Sequence, residues 1–131
     1  MIYVCDTHCL YWWATRTRSL GKDAARVFAR VARGLDEVRV PTIVLFELAM
    51  LAERGRFSPP MGWNQWTKAL EETPGMAVEP LTLEDVGEAR HLAALVDPFD
   101  RMIAAAALRL SCPLLTADER MTASGLVQTV W

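Results

Sequence analysis

Short apolar runs alternate along this chain with longer segments whose apolar residues recur at helical spacing. The runs lie at 2–5, 38–40, 76–78, 113–115 and 127–130, and the helical segments at 6–14, 22–33, 43–54, 63–72, 82–95 and 98–110. Such alternation indicates a parallel sheet with helices on both faces. The sequence therefore predicts an α/β fold with a short central parallel sheet, and 131 residues suit one domain spanning 1–131.

The composition excludes several other classes of protein. Hydrophobic residues make up 52% of the chain, which is enough for a core, yet no apolar run is long enough to span a bilayer. The N-terminus lacks the features of a signal peptide, so we expect a cytoplasmic protein without membrane association. The three cysteines form no Cys-x-x-Cys pair, which argues against disulfides and zinc and predicts that Cys5 and Cys9 are core residues.

The charge is unevenly distributed. The formal net charge is −2, but the segment from Arg16 to Arg39 contains seven basic residues and three acidic ones. A basic face beside an acidic centre would suit an enzyme that holds a polyanion and a metal ion together. The alternative is a solvated helix face, which the charge pattern taken alone favours.

Two aspartates follow predicted strands. Asp6 ends the first apolar run, and Asp118 comes shortly after the fourth. In doubly wound folds the functional crevice lies beyond the carboxyl ends of the strands, so we expect both carboxylates to face it. Either residue taken alone could instead be a helix N-cap.

Glu47 lies in the middle of an apolar helical face. Its neighbours three and four residues away are Ile43, Val44, Met50 and Leu51. A carboxylate in such surroundings is costly unless it is paired, protonated or bound to a metal ion. The nearest basic residue on this helix is Arg54, two turns away. We therefore predict a functional carboxylate rather than one with a distant salt-bridge partner.

Two further aspartates open the Ala-rich helix. Asp97 before Pro98 has the pattern of an N-cap, and Asp100 could complete a capping-box-like pair while also facing a cleft. Arg101 is a candidate partner for a carboxylate or a phosphate, and Thr116 for a carboxylate or a metal-bound water.

Four of these acids can converge on one crevice, namely Asp6, Glu47, Asp100 and Asp118. Their mutual repulsion would require cations, and all-oxygen ligation favours Mg²⁺ or Mn²⁺ over zinc. One or two such ions on carboxylates are the usual device for hydrolysing phosphodiesters. The sequence thus predicts a metal-dependent enzyme that cuts a phosphodiester backbone.

Several short segments together carry a family resemblance. They are Tyr3-Val-Cys-Asp-Thr-His8 with Leu10-Tyr-Trp-Trp13, Phe46-Glu-Leu-Ala-Met-Leu51 with Gly55-Arg56, Asp97-Pro-Phe-Asp-Arg-Met-Ile-Ala104, Leu115-Thr-Ala-Asp118, and 127–131. In order and spacing they resemble the PIN-domain ribonucleases, and among these the VapC-type toxins of type II toxin–antitoxin pairs. The resemblance covers nearly the whole chain.

The resemblance implies a PIN-like fold and a magnesium-dependent endoribonuclease toxin that cuts RNA, works as a homodimer and is silenced by a cognate antitoxin. The family's four acids, which are both metal ligands and catalytic residues, fall on Asp6, Glu47, Asp100 and Asp118. Asp97 matches an auxiliary acid and Thr116 a polar position near the fourth acid. Mn²⁺ is expected to substitute for Mg²⁺. Cys5 and the pair Leu95-Val96 depart from the family pattern without touching the four acids.

The aromatic residues allow two interpretations. Five tryptophans could stack on bases, but core or interface packing is expected for most of them. They are Trp12, Trp13, Trp63, Trp66 and Trp131. The groups near Trp12 and Trp63 would suit a groove that receives an apolar segment of an antitoxin. His8 is an additional candidate, as a general base beside Asp6.

Single residues argue against two other enzyme classes. A haloacid dehalogenase-type phosphatase needs an Asp in place of His8, and a receiver domain needs a lysine after a late strand, whereas the only lysines are Lys22 and Lys68. Two alternatives stay open: a non-catalytic interaction module with the PIN fold, and an RNA-processing nuclease without an antitoxin. The complete set of four acids argues against the first, and the neighbouring gene would decide the second.

Overall fold

Five short strands form one all-parallel sheet in the computed structural model, which describes residues 1–131. The strands are β1 (Ile2–Cys5), β2 (Glu37–Pro41), β3 (Met76–Glu79), β4 (Leu114–Leu115) and β5 (Thr129–Val130). Their order in the sheet is β3-β2-β1-β4-β5. The chain therefore moves outward from β1 to β3 and then returns to the other side of β1. The α/β class and the central parallel sheet are confirmed.

Seven helices accompany the strands. They are α1 (Thr7–Ala14), α2 (Lys22–Val31), α3 (Thr42–Glu53), α4 (Trp63–Glu72), α5 (Leu83–Ala89), α6 (Pro98–Arg109) and α7 (Glu119–Ser124). Because crossovers between parallel strands are right-handed, the reversal of direction at β1 places helices on both faces of the sheet. None of the helices combines the length and the apolar character needed to cross a bilayer.

The buried side chains form one continuous apolar cluster around the sheet. The central strands are apolar on both faces: Val4, Cys5, Val38, Val40, Leu114 and Leu115 are fully buried. This explains why the strand sequences are continuous apolar runs rather than alternating ones. The alanines at 104–107 are also buried, and their small side chains let α6 pack closely against β1. Burial raises the pKa of both core thiols, Cys5 and Cys9.

The helix that begins after Thr82 is shorter than predicted. It begins with a capping box, since Thr82 Oγ1 accepts from the Asp85 N–H and the Asp85 carboxylate accepts from the Thr82 N–H. The helix ends at Ala89 rather than near Leu95. Arg101 donates to the Ala89 carbonyl at 2.8 Å and so satisfies this helix end. The structure thus shows no carboxylate partner for Arg101, and its contact with a phosphate stays a prediction.

Two other helix boundaries differ from the prediction. Helix α3 begins at Thr42, one residue before the predicted segment 43–54, and the Thr42 hydroxyl accepts from the Leu81 N–H at 3.2 Å. Helix α7 was not predicted at all. It has six residues, of which only Met121 is buried, so its apolar pattern is too short to recognise.

Candidate acidic site

Asp6 lies where β1 meets α1. Its backbone N–H donates to the Leu115 carbonyl of β4 at 3.1 Å, which continues the pairing of the two strands. Its carboxylate accepts from the Cys9 N–H at 2.8 Å and thereby caps α1. Burial is the main reason why the pKa of Asp6 is raised, and hydrogen bonds from Thr116 and Cys9 act in the opposite direction.

Asp118 holds the equivalent place after β4. Its carboxylate accepts from the N–H groups of Arg120 at 2.8 Å and Met121 at 3.3 Å, so it caps α7. Thr116, only 1% exposed, lies between the two strand-end acids. Its hydroxyl accepts from the Asp118 N–H at 3.0 Å, and Thr116 also lowers the pKa of Asp6. Thr116 therefore acts on both acids.

Glu47 and Asp100 come from two helices, α3 and α6, that pack against each other. Both side chains are partly buried, and neither takes part in any ion pair of the structure. The distant salt-bridge partner considered for Glu47 is thus absent. Asp97 caps α6 by accepting from the N–H groups of Phe99 and Asp100.

The acidic residues line a single cleft of about 540 Å³, hereafter the acidic cleft. Its lining comprises Asp6, Thr7, His8, Trp12, Glu47, Asp97, Asp100, Ala117, Asp118, Glu119 and Arg120. The cleft opens at the switch in strand order between β1 and β4, where ligands bind in doubly wound folds. The structure therefore brings all the acids predicted from the sequence together, with Thr116 supporting them from below the surface.

Sequence reasoning missed Thr7 and Arg120 in this lining. Arg120 is the only basic side chain among the lining residues other than His8. Its position depends on α7, which the sequence did not reveal. Thr7 is 2% exposed, and its hydroxyl oxygen has no hydrogen-bond partner in the protein. Its place directly after Asp6 was the only available signal.

The acids act on one another electrostatically. The pKa of Asp100 is raised to about 6, first by burial and then by the negative charges of Asp97, Asp118, Glu47 and Asp6. Repulsion of this kind favours either a bound proton or a bound cation. His8, which lies beside Trp12, opposes the effect of the neighbouring acids on Asp6, because it lowers the pKa of that carboxyl group.

The donor set of the cleft fits a hard divalent cation. Six carboxylates line it and no thiol does, because Cys5 and Cys9 are buried in the core. No three of the acidic, histidine or cysteine side chains lie close enough together to form a ready-made ion cage. Mg²⁺ does not need such a cage, because it keeps several waters and commonly binds through one or two carboxylates together with substrate phosphates.

Comparisons with known proteins give a consistent picture. Residues 3–124 match the family model of the PIN domain. Ribonuclease VapC22 of Mycobacterium tuberculosis is 30% identical over 123 residues, covering 88% of this chain and 86% of that protein. The VapBC2 complex of Rickettsia felis, bound to a fragment of its promoter DNA, superposes with a TM-score of 0.72 at 15% identity, over 100% of this chain and 99% of that one.

A second solved structure is also similar. VapC20 of Mycobacterium tuberculosis, a toxin that cleaves the sarcin–ricin loop, superposes with a TM-score of 0.67 at 19% identity. The match covers 98% of each chain. At such identities the two structural matches show the fold alone. The family model and the sequence relative show the protein family as well.

Proposed function

Since the chain belongs to the PIN-domain family, in its VapC branch of ribonuclease toxins, we propose that it is a Mg²⁺-dependent endoribonuclease that hydrolyses RNA phosphodiester bonds in the acidic cleft. The observation that carries this proposal is the convergence of Asp6, Glu47, Asp100 and Asp118 from four separate segments. Helix capping accounts for Asp6 and Asp118. It does not account for Glu47, which lies on an apolar helix without an ion-pair partner.

The four carboxylates would hold the metal ion, with Asp97 as an auxiliary acid and Mn²⁺ as an expected substitute. When bound, the ion neutralises phosphodiester charge and lowers the pKa of an attacking water. Thr116 favours the charged form of Asp6 and holds the backbone at Asp118 through its hydroxyl. Arg120, on the rim, supplies a positive charge for the RNA backbone.

The partners proposed for this chain follow from its relatives. Several structural neighbours are toxin–antitoxin complexes, from Rickettsia felis and Salmonella typhimurium among others. We extend to this chain an RNA substrate and a cognate antitoxin that silences it, and we add the homodimeric state that the family resemblance implies. The alternatives of a non-catalytic module and an antitoxin-free processing nuclease have no structural observation in their favour, and the intact set of acids opposes the first.

The first test is cleavage of structured RNA by the purified chain, free of any antitoxin, with Mg²⁺ or Mn²⁺ and with EDTA controls. The native protein should cleave only with metal, and Asp6→Asn should abolish cleavage. Asp23→Asn is the matched control, because it removes a carboxylate that lies exposed on α2 and pairs only with Arg26. It should cleave like the native protein.

Two results would contradict the proposal. Cleavage that persists in EDTA would exclude the metal-dependent mechanism. If the folded protein neither cleaves RNA nor binds Mn²⁺ in calorimetry, the proposed metal site does not exist.

A further inference from the structure

A second cleft, of about 850 Å³, opens beside the acidic cleft. It lies between the end of α1 with the loop that follows and the segment 58–61 with α4. Trp12 lines both clefts, so they share a wall. An RNA strand with one phosphate bound in the acidic cleft would therefore pass Trp12 and place its next nucleotide in the second cleft.

We propose that the second cleft binds the unpaired base of a nucleotide adjacent to the cleaved phosphodiester, with Trp12 as the stacking surface. The inference rests on the proposed function, because the neighbouring phosphate would lie in the acidic cleft. It adds a specificity site to the nuclease.

Trp12 differs from the other tryptophans in its surroundings. Its ring centroid lies 5.4 Å from those of His8 and Trp131, at interplanar angles of 44° and 56°, so neither ring stacks on it. Trp13 instead stacks on Phe28 at 4.9 Å and 14°, and Trp66 is buried in the core. Half-buried Trp12 is thus fixed in position by its neighbours while bordering both clefts. Aromatic side chains of this kind stack on unpaired bases with little sequence preference.

Two polar residues near Trp12 add chemistry that an apolar groove would lack. Arg16 is exposed, lines the second cleft, makes no ion pair and has a left-handed φ of 54°. Thr17 also lines the cleft, and its hydroxyl oxygen is buried without a hydrogen-bond partner. Buried hydroxyls are normally paired. A nucleotide would supply a phosphate for Arg16, and rotation of the Thr17 side chain towards the cleft would bring its buried hydroxyl to a base edge.

The competing occupant is an apolar peptide segment of an antitoxin. Leu20, Pro60 and Met61 give part of the lining an apolar character that would suit it. The nucleotide is favoured because Trp12 borders both this cleft and the acidic cleft. The free cation and the unpartnered hydroxyl also lie on the segment that runs from Asp6 through α1 to Thr17.

The cleavage test uses short single-stranded oligoribonucleotides in which each base next to the cleaved bond is replaced in turn by an abasic nucleotide. The native protein should lose about ten- to hundredfold in single-turnover rate at one flanking position. Trp12→Ala should cleave the intact substrate more slowly by a similar factor and lose the distinction between intact and abasic RNA. Trp12→Phe should restore both, because it keeps an aromatic face.

Matched variants separate the polar contacts from general charge and from folding. Arg16→Ala should slow cleavage, whereas Arg18→Ala, which removes an exposed arginine of the same loop outside the cleft, should not. Thr17→Val keeps the shape and removes the hydroxyl, and should alter the preference between bases at the flanking position. Thermal unfolding of each variant establishes that it folds.

Photo-crosslinking of a 4-thiouridine oligoribonucleotide in EDTA, mapped by mass spectrometry, tests binding without catalysis. Crosslinks at Trp12 and its cleft neighbours are expected. Normal cleavage with equal rates on intact and abasic RNA would overturn the inference and leave the proposed nuclease standing. Crosslinks at the second cleft without any cleavage would retain the binding site and remove the nuclease. Met61→Glu places a negative charge in the second cleft and should weaken crosslinking there. Crosslinks that lie outside this cleft and do not change with Met61→Glu would show that RNA does not enter it, and would overturn the inference.

Discussion

Asp36, a single residue outside the acidic cleft, has a clearly lowered pKa. Its side chain is almost fully buried and accepts from Arg30 at 2.6 and 3.2 Å and from the Met1 ammonium at 2.9 Å. The Arg30 guanidinium, followed by the Met1 ammonium, lowers the pKa of Asp36 to about 2. The charged carboxylate therefore stabilises the fold above pH of about 4, the value for an unfolded Asp, and this contribution is lost as the pH falls towards 2.

We expect Asp36→Asn to lower the free energy of unfolding at pH 7, with a gap to the native protein that shrinks as the pH falls from about 4 to about 2. Urea denaturation at a series of pH values measures this gap. Asp23→Asn is the control, because its exposed carboxylate should give a small gap. A gap for Asp36→Asn that is constant down to pH 2 would disprove the assignment.

Single residues also show what the sequence could and could not predict. Glu47 was recognisable because a carboxylate among apolar helical neighbours needs a reason, and the structure places it in the acidic cleft. The contact of Arg101 with the Ala89 carbonyl was not recognisable. A long side chain can reach many groups, and the local sequence does not say which of them the fold brings near.

Between elements, Arg109 connects three parts of the fold. Its Nε donates to Asp85 at 2.6 Å and its Nη2 to Glu79 at 2.7 Å, so it ties the end of α6 to the capping box of α5 and to β3. The three side chains are at most 15% exposed. Because Asp85 is 3% exposed, removing the cation would leave a buried charge without its partner.

Arg109→Ala should lower the free energy of unfolding by about 3 kcal/mol. Arg109→Lys should lose less, because it keeps the charge but cannot bond both acids in the same geometry. Arg90→Ala, at an exposed arginine without an ion pair, should change stability by less than about 0.5 kcal/mol. Chemical denaturation gives all three values, and similar losses for Arg109→Ala and Arg90→Ala would refute the role of this network.

The order and type of the elements were predictable, whereas several boundaries were not. Buried strands and amphipathic helices leave a periodic pattern in the sequence, and the β1, α1 and α4 segments follow it closely. The end of α5 depends on a side chain from α6, and the start of α3 on the loop after β3. Such contacts arise from the tertiary fold and leave no local signal.

At the scale of the whole molecule, an apolar surface lies next to the acidic cleft. Phe46 on α3 is 56% exposed, and its ring lies 6.2 Å from that of Phe99 on α6. Val96, just before α6, is 89% exposed. Exposed apolar groups gathered in this way commonly mark a protein–protein interface. The surface belongs to the helices that carry Glu47 and Asp100, so it is the natural face for the proposed homodimer.

Phe46→Lys should convert a dimer into a monomer in analytical ultracentrifugation, because a charge would replace an aromatic side chain at the interface. Leu35→Lys is the matched control, since Leu35 is 48% exposed at the turn before β2, in a different element, and should leave the dimer intact. A native protein that is monomeric at all concentrations would overturn the dimer proposal.

The acidic cleft was predictable as a set of residues, but its neighbourhood was not. The acids stand out through their positions at strand ends and on an apolar face. The second cleft depends on how the loop after α1 meets α4 and the segment 58–61, which are distant in the sequence. Only the tertiary packing of these segments shows that Trp12 borders both clefts.

The sheet order has a consequence for when the site can form during synthesis. Asp6 is made long before Asp118, which follows β4, and β4 must insert between β1 and β5. Strand β5 consists of residues 129–130. A nascent chain that stops before residue 118 therefore lacks the fourth acid, and one that stops before residue 129 lacks the strand that pairs with β4. Asp6 and Glu47 thus wait on the ribosome for acids that the chain supplies later.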